Sequence, residues 1–264
     1  MSQPNIQYMR PGSEKRSSST KNTGIKLGQL MILPTGEEFH YCRASATAMV
    51  AGKFYQQNIG IQGSDAAYIA TLAVAAAASA QCTVVVTAGA TTAVTADQFA
   101  DGIMAVCSSA GSGNGYAYHI KSCSSAAAGA TTTITLEQGD PLKVALVAGT
   151  NTVGLRENPY FALTLTTADT IGVGALAGVS PTAITANYYG WVQTQGPCMC
   201  LTDGTLIVGE PVSVSNAVAG AVEPIPPAAA DTIGTRVVKQ MVKVGVVMNV
   251  AANTAYSLID LDIK

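Results

Sequence analysis

Charged side chains are scarce in this chain of 264 residues. Only 11% of the residues are Asp, Glu, Lys or Arg, against about 25% in an ordinary soluble domain. Aromatic residues are also few, at 6%, and the chain has two histidines and one tryptophan. A surface built largely from Thr, Ser, Asn, Gly and Ala suits extensive contact with other protein copies, because few charges lose water there. A weakly charged monomer is the alternative.

The same scarcity limits catalytic chemistry. A Ser-His-Asp arrangement would need His40, which is predicted to be exposed after a turn, or His119, which is predicted on one face of a strand. The nucleophile-elbow pattern G-x-S-x-G does not occur, and the glycine-rich residues 111–115 lack the lysine and spacing of a phosphate-binding loop. We therefore predict a non-enzymatic protein that uses no cofactor and no metal ion.

The six cysteines follow no spacing typical of a disulfide framework. The N-terminal residues are polar and do not resemble a secretory signal, so reduced thiols are expected. Cys198 and Cys200 would share one face of a strand. We interpret them as small buried side chains, with a metal-binding pair as the alternative.

One apolar run, at residues 66–80, raises the question of a membrane segment. It is shorter than the roughly 20 residues that cross a bilayer, and alanine, serine and threonine dominate it. We predict a strand-and-turn region there, with a short helix as the alternative, and no membrane association.

The main periodicity of the sequence is two, as in β-strands. Near the C-terminus, Ile259, Leu261 and Ile263 alternate with Asp260 and Asp262. Similar runs, rich in Val, Ile and Thr, occupy residues 27–33, 82–87, 131–136, 161–166, 205–208 and 241–250, the last with even-numbered residues on one face. Two short helices are predicted, at 96–107 and 141–148. Many short strands between turns predict an all-β chain whose body is an antiparallel, jelly-roll-like β-sandwich or barrel.

The N-terminal segment differs from the rest in charge. Residues 1–28 contain five basic residues and one acidic residue, for a net charge of +4, whereas the remainder has nine basic and fifteen acidic residues, for −6. A basic, serine-rich segment buries too little apolar surface to fold alone. We predict an extended basic arm at 1–28 and a β-rich body at 29–264, with a subdivision near 150 as an alternative.

The arm is expected to contact partner proteins. Its candidate contact residues are Tyr8, Arg10, Lys15, Arg16, Lys21 and Lys26. A solvated terminus without a partner is the alternative. Direct nucleic-acid binding is not expected, because the sequence pI is about 5.6 and basic and aromatic residues are not interleaved.

Two segments resemble structural proteins of tailed-bacteriophage virions. One is A-D-Q-F-A-D-G at residues 96–102 with G-S-G-N-G-Y-A-Y-H-I at 111–120. The other is N-Y-Y-G-W-V-Q-T-Q-G-P at 187–197, followed by V-G-E-P-V at 208–212. The resemblance implies a capsid decoration (cement) protein, which is β-rich, has no catalytic residues and lies on the outer capsid surface, where it bridges neighbouring capsomers.

This resemblance also implies partners and a location. The chain would assemble in the bacterial host cytoplasm, bind the major capsid protein and form a homo-oligomer, with a trimer expected at a three-fold site. The alternatives are a phage tail, head-fibre or host-attachment protein, and a carbohydrate-binding β-sandwich module. Trp191 lies in the second segment and is predicted to anchor the core, with a surface contact as the alternative.

Overall fold

The computed structural model describes residues 7–58, 68–89, 93–108, 111–167, 174–225 and 243–263. In these ranges there is one short 3-10 helix (Ser13–Lys15) and no α-helix. The strands, in chain order, are β1 (Gln7–Tyr8), β2 (Leu30–Ile32), β3 (Glu38–Arg43), β4 (Phe54–Gln56), β5 (Tyr68–Ala73), β6 (Thr83–Thr87), β7 (Ile103–Val106), β8 (Ala117–Cys123), β9 (Thr131–Leu136), β10 (Thr152–Arg156), β11 (Thr164–Leu165), β12 (Leu176–Val179), β13 (Tyr189–Leu201), β14 (Pro211–Val214), β15 (Val222–Pro224), β16 (Lys243–Asn249) and β17 (Tyr256–Asp262). The prediction of an all-β fold of the sandwich or barrel type is confirmed.

The chain divides into two compact units. The first consists of residues 1–58 and 159–264, and the second of residues 59–158. The second unit is thus inserted into the first, with boundaries after residue 58 and after residue 158. The arm residues that the structure describes, 7–28, belong to the first unit.

The first unit contains an eleven-stranded sheet. Its main path runs β1-β2-β3-β13-β17-β16-β14-β15, while β12 pairs with β13 and β4, and β4 also pairs with β11. All named pairs are antiparallel except β1 with β2. Strand β13 is 13 residues long, and its first half pairs with β3 and its second half with β17. This strand therefore organises the whole unit.

The second unit contains a six-stranded antiparallel sheet in the order β5-β10-β7-β8-β9-β6. The sheet curls so far that Val74, directly after β5, forms a bridge with Val86 of β6. Its interior is mainly apolar. In β9 buried side chains alternate with more exposed ones, as predicted, and the buried ones are Thr132, Ile134 and Leu136.

The alternation predicted at the C-terminus is confirmed only for β17. Ile259 and Leu261 are buried, and Asp260 is exposed. In β16 the predicted face is wrong beyond Val244, because this residue is an extra one between Lys243 and Gly245, which pair with two adjacent residues of β14. Such a bulge adds one residue to one strand and reverses the faces that follow it. Val247 is consequently buried, and Met248 is exposed.

Neither predicted helix forms. Residues 96–101 are turns that lead into β7, and residues 141–148 are irregular. Asp97 and Asp101 have positive φ angles of 57° and 61°, a conformation that interrupts a right-handed helix. The backbone N–H of Asp101 donates to the carbonyl of Ile120 in β8, so the segment is held by this strand as well as by its own turns.

Several shorter predictions have mixed outcomes. Residues 205–208 form no strand, the run at 161–166 shortens to β11, and the run at 27–33 contributes only β2. The strand-and-turn prediction for 66–80 is confirmed over residues 68–80, which contain β5, and the glycine-rich residues 111–115 form a turn. The proline- and alanine-rich residues 223–230, for which the sequence predicts an extended surface loop, lie mostly outside the described residues.

Candidate functional site

The predicted arm is fastened to the first unit by its polar backbone. Ser18 and Tyr189 exchange two backbone hydrogen bonds, of 2.9 and 2.8 Å. The backbone N–H of Asn22 donates to the hydroxyl of Tyr41 at 3.1 Å. Burial raises the pKa of Tyr41, and the hydrogen bond from Asn22 offsets part of that rise. The phenol is therefore neutral and serves as a fixed acceptor for the arm.

Apolar side chains fasten the arm as well. Ile25 and Leu27 are buried in a cluster that includes Tyr41 and Trp191. The rings of Tyr41 and Trp191 lie 5.1 Å apart, a separation typical of aromatic packing. The predicted role of Trp191 as a core anchor is confirmed, and the arm covers the cluster that this side chain builds.

The cations of the arm face outward. Arg10, Lys15, Arg16 and Lys26 are exposed, and Lys21 is half-buried. The side chain of Tyr8 lies outside the described part of the chain. The candidate contact residues thus lie on one docked segment. Its apolar side chains Ile25 and Leu27 are buried against the first unit, and most of its positive charge is exposed to solvent.

A cleft of about 800 Å³ lies in the first unit next to the 3-10 helix of the arm. Apolar side chains line most of it, among them Val50, Met199, Tyr256 and Leu258. Met199 lies directly across from Leu258 in the β13–β17 pair, so both side chains are on the same face of the sheet. Glu14 and Lys15 of the arm also line it.

Gly52 allows this wall of the cleft to form. Its φ is +72°, and a Cβ atom there would lie 2.5 Å from the ring of Tyr256. No larger residue fits without displacing that ring. The cleft was not predicted, since its lining comes from separate parts of the chain.

The segment at residues 187–197 has an architectural role. Where β13 changes partner from β3 to β17, the register shifts between Gln193 and Gln195. The side-chain amide of Gln193 donates to the carbonyls of Gln195 and Pro197 at 3.1 and 3.0 Å, and Gly196 between them has φ of +87°. The Q-T-Q-G-P pattern therefore encodes a bulge that its own glutamine closes.

The two histidines take part in local structure. The prediction that His40 is an exposed polar residue is wrong, because it is half-buried in β3. Its Nδ1 lies 3.0 Å from the carbonyl of Gly28, and its ring stacks on Tyr160 at 5.0 Å. His119 lies in strand β8 as predicted. Its side chain is exposed, with Nδ1 3.0 Å from Asp140 Oδ2.

Asp140 makes a pH-dependent contribution to stability. The backbone N–H of His119 donates to its Oδ2 at 2.9 Å, and this bond is the main cause that lowers the pKa of Asp140. The ionised carboxylate therefore stabilises the fold above about pH 3.9, the usual pKa of Asp in an unfolded chain, and the effect is lost as pH falls through the folded value. Asp140→Asn should slightly lower Tm at pH 7 and less at pH 3. Equal losses at both pH values in thermal unfolding would contradict this assignment.

All six cysteines are free thiols. Cys198 and Cys200 are buried on the same side of β13, as predicted, and burial raises the pKa of the Cys200 thiol. Among the described residues, no group of three or more His, Cys, Asp or Glu side chains is arranged to hold a metal ion. In those same ranges, no helix has the length and apolar character needed to span a membrane.

Comparison of the chain with protein-family models, with curated proteins and with solved structures gave no match.

Proposed function

We propose that this chain is a non-enzymatic structural protein of a bacteriophage virion. It decorates and stabilises the outer capsid by bridging neighbouring capsomers of the major capsid protein. The observation that carries the proposal is the two-sided arm, in which Ile25 and Leu27 are buried while Arg10, Arg16 and Lys26 are exposed. A docked segment with outward cations is a preformed surface for an acidic protein partner, since its chain entropy is already lost before binding.

Two further observations support a structural role. The low charge content leaves most of the surface free of groups that are costly to desolvate. The segment at 187–197, which resembles phage virion proteins, contains the bulge and the core tryptophan around which the first unit is built. The resemblance thus rests on residues with a role in the fold, and the partner-binding surface lies on the arm that covers them.

Binding to capsids that lack this protein tests the proposal. Replacing Arg10, Arg16 and Lys26 by glutamine should weaken binding about tenfold, because each exposed ion pair contributes up to about 1 kcal/mol. The wild-type affinity should fall with added salt, which screens such contacts. Co-sedimentation with capsids at several salt concentrations measures both effects.

A matched variant controls for net charge. Lys121, Lys143 and Arg156 are exposed in the second unit, and their replacement by glutamine removes the same charge elsewhere. This control should bind as wild type does. Equal binding by both triple variants would refute the role of the arm, and electron microscopy that places the chain on the tail in place of the shell would refute capsid decoration.

A further inference from the structure

An exposed apolar turn projects from the first unit at residues 207–210. Ile207 and Val208 are 66% and 59% exposed, the highest values among the large apolar side chains of the described residues. The turn is held firmly: the N–H of Glu210 donates to the carbonyl of Ile207, and Gly209 and Glu210 each form a backbone hydrogen bond with Val247. The preceding residue, Leu206, is buried. The two aliphatic side chains are therefore presented to solvent on a fixed support.

The cleft beside the arm is the complementary surface. It is concave and mostly apolar, and Met199 in its wall is 50% exposed. Since both the turn and the cleft are open to solvent, neither covers the other within one chain. Exposed apolar surfaces of this kind mark sites of protein association.

Charge matches across the two surfaces. Lys15 is the exposed charged side chain among the residues that line the cleft. Glu14 is buried and accepts the N–H of Gly12, and Glu37 accepts the hydroxyl of Thr35. The apolar turn carries Glu210 two residues after Val208. The turn thus offers an apolar pair followed by a carboxylate, and the cleft offers an apolar wall with an exposed lysine.

We propose that the apolar turn of one copy of this chain inserts into the cleft of a second copy, with Glu210 of one beside Lys15 of the other. Each copy offers one turn and one cleft, so the contact is head-to-tail and can close into a ring. The inference rests on the proposed function, since it specifies how copies of the decoration protein join. The contact between copies is tested without capsids, so that a failure of this contact can be distinguished from a failure of the proposed function.

The first test measures the mass of the full chain by sedimentation velocity. Wild type should form a ring, with a trimer expected, and Ile207→Asp should sediment as a monomer with a dissociation constant raised at least about 30-fold, as for an apolar anchor in a pocket. The matched control is Val147→Asp, at a position 53% exposed in the second unit, which should assemble normally. A monomeric wild type at the highest soluble concentration would overturn the proposal, as would an assembled Ile207→Asp.

Mixing two defective variants gives the sharper test. Ile207→Asp keeps an intact cleft, and Met199→Asp keeps an intact turn. Each alone should be a monomer, whereas the mixture should form a 1:1 dimer that grows no further, because only one working contact remains. Dimer formation would also show that both variants are folded. Failure of the mixture to pair, with both variants folded by circular dichroism, would overturn the head-to-tail contact.

A charge exchange tests the polar part of the contact. Lys15→Glu and Glu210→Lys should each weaken assembly by about 2- to 5-fold at low salt, and the double variant should restore it. Lack of restoration would overturn the pairing.

If Ile207→Asp remains assembled but no longer binds capsids, the turn contacts the capsid and the proposal is wrong. If wild type assembles as described but binds no capsid, the proposed function fails while this contact stands.

Discussion

Replacement of Trp191 by alanine is expected to lower the free energy of unfolding of the first unit by about 3–5 kcal/mol, the range for large aromatic residues removed from a core. Trp191 is 4% exposed and lies in β13, whose two halves pair with β3 and β17. Its loss would leave a cavity against Tyr41 and beneath Ile25 and Leu27 of the arm. The substitution therefore removes packing at the point where β13, β3 and the arm contact one another.

Urea unfolding followed by far-ultraviolet circular dichroism measures this loss, since Trp191 is the only tryptophan and its own fluorescence disappears in the variant. Tyr116→Ala is the control, because that aromatic side chain is exposed in the second unit. It should cost less than about 1 kcal/mol. If both variants lost a similar free energy of unfolding, Trp191 would not anchor the core. Its alternative role, a contact with a partner at the surface, would then remain.

The alternating strands could be predicted because their pattern is local. In β17, each residue's side follows from its neighbours along the chain, and Ile259 and Leu261 are buried as the pattern requires. Prediction failed where the backbone conformation at a single residue interrupts the period of the strand or helix. The bulge at Val244 reverses the faces of β16, and the positive φ angles of Asp97 and Asp101 turn an apparently helical segment toward β8.

The site was predictable only in part, for a different reason. The cations of the arm are visible in the sequence, but what lies beneath them depends on long-range contacts such as those of Ser18 with Tyr189 and of Asn22 with Tyr41. One local signal did exist, because Ile25 and Leu27 continue the alternation of residues 27–33 backward into the arm. The cleft has no comparable signal, since Val50, Met199 and Tyr256 are distant in sequence.

Removal of residues 1–28 should destabilise the first unit, although the sequence alone describes them as an arm separate from the body. Burial of one large aliphatic side chain contributes about 1.5–3 kcal/mol, so the loss of Ile25 and Leu27 alone should lower the free energy of unfolding by about 3–6 kcal/mol. Truncation also uncovers Tyr41 and Trp191, and exposed aromatic surface of this kind promotes association. The fluorescence of Trp191, which reports on the first unit, follows unfolding in urea.

Two full-length variants separate the anchors of the arm from its charges. Ile25→Ser with Leu27→Ser should lose most of the stability that truncation removes, while Arg10, Arg16 and Lys26 replaced by glutamine should unfold as wild type does.

Because Leu27 and Trp191 belong to one packed cluster, combining the Leu27→Ser and Trp191→Ala substitutions should lower the free energy of unfolding by less than the sum of the two separate losses. A truncated chain within about 1 kcal/mol of wild type would instead mean that residues 1–28 are a separable appendage. Additive losses would mean that Leu27 and Trp191 stabilise the unit independently, so that the arm would not depend on the tryptophan for its packing.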